Sequence, residues 1–311
     1  MTLGIGDDAA VLAPERGRVQ VATTDSLIEH VHFRLDWTSP ANVGHKALAV
    51  NLSDLAAMGA VPRAALLSLA LPGALPLAEF DALIDGFVSL GSREQVPLVG
   101  GNLARSPGPL VLDVTVLGSA HPRRVLTRRG GKPGDELYVT GTIGAAAAGL
   151  ARLQGGMTDA GAPEADGCRT RYERPEARLA CGIQVARNRA ASAAVDLSDG
   201  LADAVAQLAA ASGTGAVLES RAVPVDPGAR RWAESTGLDP LDFALAGGED
   251  YELLFAVSRR QRRAFAAVVA RCRPVPVTRI GRLTPEPGRW LDRGGGLEPL
   301  PEGFAHFSAR P

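Results

Sequence analysis

Cysteine is scarce in this sequence: Cys168, Cys181 and Cys272 are the only three in 311 residues, they stand far apart, and none belongs to a CxxC pair. That spacing excludes a zinc knuckle and a disulfide framework, and it predicts three small buried hydrophobes in a reducing, cytoplasmic setting. No apolar run reaches the roughly 18 residues that a membrane helix needs, and the first residues show no signal-peptide pattern. Neither sign of charge dominates. With 33 Lys and Arg against 34 Asp and Glu, the net charge of −1 gives no electrostatic case for nucleic acid or an anionic membrane as a partner. The common nucleotide and hydrolase signatures are also missing: GxxxxGK[ST], a helix-opening GxGxxG, GxSxG and the HRD and DFG pair. Any nucleotide site must be built by a less common fold.

What is present reads as an ordinary globular chain, 46% apolar and 22% charged, long enough for two domains with a core each. The apolar run of "GIGDDAAVL" reads as a buried strand, and Val19 to Asp25 alternates as a second. Ser39-Pro40 opens a helix that Gly59 stops, with Val43, Ala47, Val50, Leu55 and Met58 at roughly helical spacing. A strand over Ala65–Leu71, a helix over Leu77–Arg93, a short strand Pro97–Val99 and a strand Leu110–Leu117 follow. The order β-β-α-β-α-β-β is an α+β layer. Gly, Pro and charge then concentrate in "TRRGGKPGDE", which divides the chain into domains 1–126 and 127–311. The second domain opens with strand Leu137–Thr140 and an Ala-rich helix from about Gly144. A loop from Gln154 to Cys168 follows, and later a strand Ala193–Val195 and a helix Leu201–Ala211. The arginines at 259, 260, 262 and 263 read as a solvated helix face.

The acids are not spread evenly. Asp7 and Asp8 follow a glycine turn, Asp25 ends a strand, Asp54 sits in "NLSD", Asp196 and Asp199 form "DLSDG", and Glu249 and Asp250 follow Gly247-Gly248. Each alone can be a turn or cap residue; Asp196 or Ser198, for example, could cap the helix from Leu201. Together they suggest carboxylates converging on hard divalent cations, with oxygen ligands suited to Mg²⁺, and glycine-flanked N–H groups suited to phosphate. His30 and His32, two apart in "HVHF", would share a face of a strand, but no third nitrogen or sulfur ligand is near in sequence.

The words "GIGDDAAVL", "TTDSLIEHVHF", "KALAVNLSDLAAMGA", "VGGN", "LTRRGGKPGDELYVTGTIG", "VDLSDG" and "LAGGEDYELLF" follow one another in order, with a weaker "GFAHF" near the end. In this set the chain resembles the thiamine-monophosphate kinase family, of the superfamily that includes aminoimidazole ribonucleotide synthetase and selenophosphate synthetase. The resemblance implies a two-domain aminoimidazole ribonucleotide synthetase-like fold of mixed α+β and α/β character. Its N-terminal sheet-and-helices domain would bind ATP and magnesium and pair in a dimer, its C-terminal α+β domain would complete the substrate site, and the site would lie in the cleft. It implies ATP-dependent phosphorylation of thiamine monophosphate to thiamine diphosphate, with several Mg²⁺ ions. Carried over position by position, Asp8, Thr24, Asp25, Asp54, Asn102, Asp196 and Asp199 are expected metal ligands. Gly101, Asn102, Arg128 and Ser198 are expected at the nucleotide, and His32, Glu249 and Phe304 at the thiamine end. Asp54, Asp199 and Arg128 are expected to carry catalysis. The family has Asp where this chain has Asn102, a neutral and poorer ligand for a hard cation. The family also has a segment with a helix ahead of the position of Gly4. Two other readings stay open: another ATP-using synthetase of the superfamily, which "GGEDYELLF" disfavours, and a nucleotide-binding regulatory module without turnover.

Overall fold

Ser39 starts the first helix of the computed structural model, α1 (Pro40–Ala57), through its hydroxyl and carbonyl, which both accept the Asn42 N–H at 3.3 and 3.0 Å. Gly59, at φ +63°, ends it: its N–H reaches the Ala56 carbonyl, and the Ala60 N–H returns to Leu55. The structure describes residues 4–6, 9–155, 163–272 and 274–301, and of 163–166 the backbone alone. The chain divides into two units, Met1–Leu55 with Ala60–Val125, and Ala56–Gly59 with Leu126–Pro311.

The first unit holds β1 (Val19–Ile28), α1, β2 (Val61–Pro72), α2 (Leu77–Arg93), β3 (Leu98–Ser106) and β4 (Val111–Ala120). Its sheet runs β1-β4-β2-β3, antiparallel except for the parallel pair β2 and β3, which α2 connects. Leu112, Val114 and Val116 of β4 are buried while Asp113 between them is exposed, so one face of the sheet is covered and the other is not. α1 and α2 cross where neither has a side chain. A Cβ on Gly44 would stand 1.9 Å from the Leu83 carbonyl oxygen, and one on Gly86 1.9 Å from that of Ala41.

Two expectations fail in this unit. Residues 9–12 belong to no strand and Val11 is 50% exposed, because a short apolar run without alternation does not by itself specify a strand. β3, expected to stop at Val99, continues through Gly100-Gly101-Asn102 to Ser106, where β2 supplies its hydrogen-bond partners despite the poor strand propensity of glycine and asparagine.

The second unit holds β5 (Glu136–Thr140), α3 (Ala145–Gly155), α4 (Pro163–Glu173), α5 (Leu179–Arg187), β6 (Ala193–Asp196), α6 (Leu201–Ser212) and β7 (Gly215–Glu219). It continues with α7 (Pro227–Ser235), α8 (Pro240–Ala246), β8 (Leu253–Val257), α9 (Arg262–Val269), β9 (Val277–Thr284), β10 (Arg289–Asp292) and β11 (Leu297–Pro299). The seven strands run β11-β10-β7-β9-β5-β8-β6. Leu137, Val195, Leu208, Leu218, Leu254 and Ile280 meet in its core. Part of the expected loop from Gln154 to Cys168 is helical, since α4 begins at Pro163, where a proline at the first helical position lacks only a donor the helix does not use. The four arginines from 259 to 263 are exposed, as a solvated face requires, and Arg262 Nε lies 2.7 Å from Glu136.

Candidate functional site

Strand alternation sorts the expected metal ligands of the first unit. Thr23 and Asp25 share the face of β1 that α1 covers, and the Thr23 hydroxyl donates to the Asp54 carboxylate. Asp25 lies two residues further, about 7 Å along the strand. Thr24 faces the other way: its hydroxyl donates to the Val114 carbonyl at 3.1 Å and accepts from Thr115 at 3.1 Å. Asn102 shares that second face, at the end of a cross-sheet row formed by Ser26, Asp113, Ser68 and Asn102. Asp113, which sequence reading passed over, accepts from Ser26 within the row. The structure thus brings Asp25 and Asp54 to one face and Thr24 and Asn102 to the other. A Cβ on Gly101 would lie 1.8 Å from the Leu67 carbonyl oxygen, so glycine is required there by the packing of β3 on β2. Asp7, Asp8 and Phe304 lie outside the described residues.

His30 and His32 do not share a strand face, because β1 ends at Ile28 and a tight turn follows. The His30 N–H bonds the Phe33 carbonyl at 2.7 Å, and His32 Nδ1 accepts the Ile28 N–H at 3.1 Å. That turn fixes the His32 ring close to the end of β1.

In the second unit, β6 and β8 pair antiparallel up to Asp196 opposite Leu253, and the loops beyond them stay zipped together. Leu197 N–H bonds Glu252 O at 2.9 Å, Tyr251 N–H bonds Leu197 O at 3.0 Å, and Glu249 N–H bonds Ser198 O at 2.7 Å. This pairing brings Asp196, Ser198, Asp199 and Glu249 together from "DLSDG" and "GGED". α6 starts after Gly200 with no side-chain hydrogen bond at its cap, so helix capping does not account for Asp196 or Ser198. Glu249 and Tyr251 hold φ of +66° and +50°, a conformation costly for residues with a Cβ. Arg128 is not part of this group: its carbonyl accepts from Ser212 at 3.1 Å, at the far end of α6, about 18 Å of helix axis from Asp199.

Below the loop lies a charged cluster that the sequence reading missed. Glu252 is fully buried and accepts from Arg178 Nε at 2.6 Å, Arg171 Nη2 at 2.7 Å and the Thr140 hydroxyl at 2.6 Å. Burial acts to raise its carboxyl, but the hydrogen bonds and charges of Arg178 and Arg171 outweigh it and hold the group below the ordinary range. Arg171 also donates to the Asp250 carbonyl at 3.1 Å. The buried Asp250 carboxylate accepts from the Gly144 N–H at 2.6 Å and the Ala146 N–H at 3.2 Å, at the start of α3. Burial pushes Asp250 up to about 7, against the pull of those N–H groups and of Arg171. The one local signal for this cluster is an acid set directly against the apolar run "LLFAV", which has to be paired where it is buried.

The family model described as AIR synthase related protein, N-terminal domain, matches residues 6–120, and its C-terminal counterpart matches residues 132–290. The thiamine-monophosphate kinase of Escherichia coli (strain K12) is 40% identical over 310 residues, covering 98% of this chain and 92% of that protein. That of Rhodopirellula baltica is 33% identical over 315 residues, with 98% and 92% covered. Among solved structures, thiamine-monophosphate kinase from Stenotrophomonas maltophilia K279a superposes with a TM-score of 0.84 at 37% identity, covering 93% of this chain and 90% of that one. AaThiL complexed with AMPPCP and TMP gives 0.83 at 32% identity, with 95% and 89% covered.

Proposed function

The chain belongs to the thiamine-monophosphate kinase family, and from that membership we propose that it transfers a phosphoryl group from ATP to thiamine monophosphate, releasing thiamine diphosphate and ADP. The observation that carries this reading is the near-complete match, in both sequence and fold, to relatives bearing that name, one of them solved with AMPPCP and TMP.

The chemistry fits the residues. Phosphate-to-phosphate transfer gathers negative charge, and its acceptor is already a nucleophile at neutral pH, so charge neutralisation and positioning matter more than a general base. Magnesium suits the donors present, which are carboxylate and hydroxyl oxygens. Among the described residues no group of three or more His, Cys, Asp or Glu could hold a metal ion, so a cation held here would be completed by phosphate and water oxygens, as Mg²⁺ commonly is. When bound, it supplies charge neutralisation and a template for the two phosphates. Asp25 and Asp54 are the proposed holders in the first unit, with Asp8, and Asp196 and Asp199 in the second. Thr24 and Asn102, on the opposite sheet face, would serve a separate ion. Gly101 and Ser198 are proposed to contact the nucleotide through their backbones, with the Arg128 guanidinium reaching phosphate. Glu249, held at positive φ by the zipped loops, would offer its carboxylate to the cationic thiamine moiety, with His32 and Phe304 as further contacts. The uncovered face of the β1-β4-β2-β3 sheet is proposed to pair with a second copy of the chain.

Incubation with Mg²⁺, ATP and thiamine monophosphate, followed by chromatography, tests the reaction. Thiamine diphosphate is expected only when all three are present. Its absence while ATP is still bound would overturn the kinase reading in favour of a regulatory module.

A further inference from the structure

Glu249 stands on a stretch of backbone that its own conformation disfavours. Glu249 and Tyr251 hold φ of +66° and +50°, so the chain between Gly248 and Leu253 keeps its course only where its surroundings fix it. Three sets of bonds do so. The Glu249 and Tyr251 N–H groups reach the Ser198 and Leu197 carbonyls, and the Asp250 carboxylate sits on the Gly144 and Ala146 N–H groups at the start of α3. The third set comes from Arg171, two residues before the end of α4, a helix that packs on α3. One guanidinium nitrogen, Nη2, spans Tyr251 by donating to the Asp250 carbonyl at 3.1 Å and to Glu252 Oε1 at 2.7 Å.

We propose that Arg171 is a positioning residue for thiamine monophosphate, a clamp on residues 250–252 that holds Glu249 in its left-handed conformation. The proposal rests on the kinase reading and on the thiamine contact given there to Glu249. The buried Glu252 carboxylate does not depend on Arg171 alone, because Arg178 and the Thr140 hydroxyl also donate to it. Removing Arg171 therefore leaves Glu252 paired and takes from the Asp250 carbonyl its side-chain donor, so the loss falls on the turn that carries Glu249. Arg171 Nε makes no hydrogen bond among the described residues. What the turn needs from α4 is one positive nitrogen with two protons to give, which lysine also has.

Three variants test the clamp. Arg171→Met removes the donor, Arg171→Lys keeps a cationic one, and Glu249→Gln removes the carboxylate that the clamp serves. Arg171→Met and Glu249→Gln are each expected to raise KM for thiamine monophosphate about tenfold, the order that one hydrogen bond to a charged group is worth. In Arg171→Met, kcat and KM for ATP should stay within about twofold of wild type. The double variant should be no worse than Glu249→Gln alone, because both changes remove the same interaction. Arg171→Lys should recover most of the lost KM. In the substrate-free protein, amide hydrogens 249–251 should exchange roughly tenfold faster in Arg171→Met than in wild type, with those of β7 unchanged.

Unchanged exchange at 249–251 in Arg171→Met would overturn the clamp whatever the kinetics show. Multiplied effects in the double variant, or an equal rise in KM for ATP, would make Arg171 a general structural residue and overturn its positioning role. If Arg171→Met does not fold, Arg171→Lys decides: KM for thiamine monophosphate near wild type supports the proposal, and a rise in both KM values overturns it. Faster exchange in a protein whose wild type forms no thiamine diphosphate would overturn the kinase reading and the substrate role of Arg171, with the clamp on the turn left standing.

Discussion

At the scale of single residues, Asp54 and Asp250 show two fates for a carboxylate. Asp54 is half-buried near the end of α1, where its carboxylate accepts from the Thr23 hydroxyl. Asp54→Asn keeps the shape and removes the charge. Its kcat/KM should fall by at least roughly a hundredfold, the order lost when one charge-stabilising group is removed, while its thermal midpoint stays close to wild type. A steady-state assay beside a melting curve checks both. Asp250 is buried at the start of α3, and its pKa rises from the ordinary 3.8 to about 7. The folded chain therefore keeps a proton that the unfolded chain releases. The stability this contributes is fully present below about pH 4 and is lost as pH rises through about 7. Urea midpoints should decline across that window in the wild type, and Asp250→Asn should remove that part of the slope.

At the scale of elements, the α1–α2 crossing depends on two missing side chains. Gly86→Ala would drive a Cβ to within 1.9 Å of the Ala41 carbonyl oxygen, so the helices must part. A loss of about 1–3 kcal/mol is expected, of the size that overpacking costs. Gly155→Ala, at the end of α3 where a Cβ meets nothing within 4 Å among the described residues, should stay within about 0.5 kcal/mol of wild type. Thermal melts of the two variants side by side check the contrast.

The same elements show what the sequence made legible. α1 carried a Ser-Pro start, a glycine stop and helical spacing, all local signals, and the structure has it where these signals lie; α2 spans Leu77–Arg93 as expected. β3 hid in Gly-Gly-Asn because its strand character comes from β2, and α4 hid in a stretch rich in Gly, Asp and Pro. The candidate site divides in the same way. "DLSDG" and "GGED" were visible as words, yet only the β6–β8 pairing shows that they meet. Thr24 and Asp25 are neighbours in sequence, and the strand pleat sends them to opposite faces. Glu252 has its cations on α4 and just ahead of α5, too far along the chain for any local pattern to pair them.

At the scale of the whole molecule, the N-terminal and C-terminal models of one family match residues 6–120 and 132–290; β1 runs on to Ile28, so Asp25, expected to end that strand, lies within it. No described helix is long and apolar enough to cross a membrane. The central claim is direct phosphoryl transfer between two small molecules. ATP labelled in its γ-phosphate, mixed with the protein, Mg²⁺ and thiamine monophosphate in a single turnover, tests that claim most directly. The account predicts that the label appears in the terminal phosphate of thiamine diphosphate, in step with ADP. Label released as inorganic phosphate, with thiamine monophosphate unchanged, would contradict it.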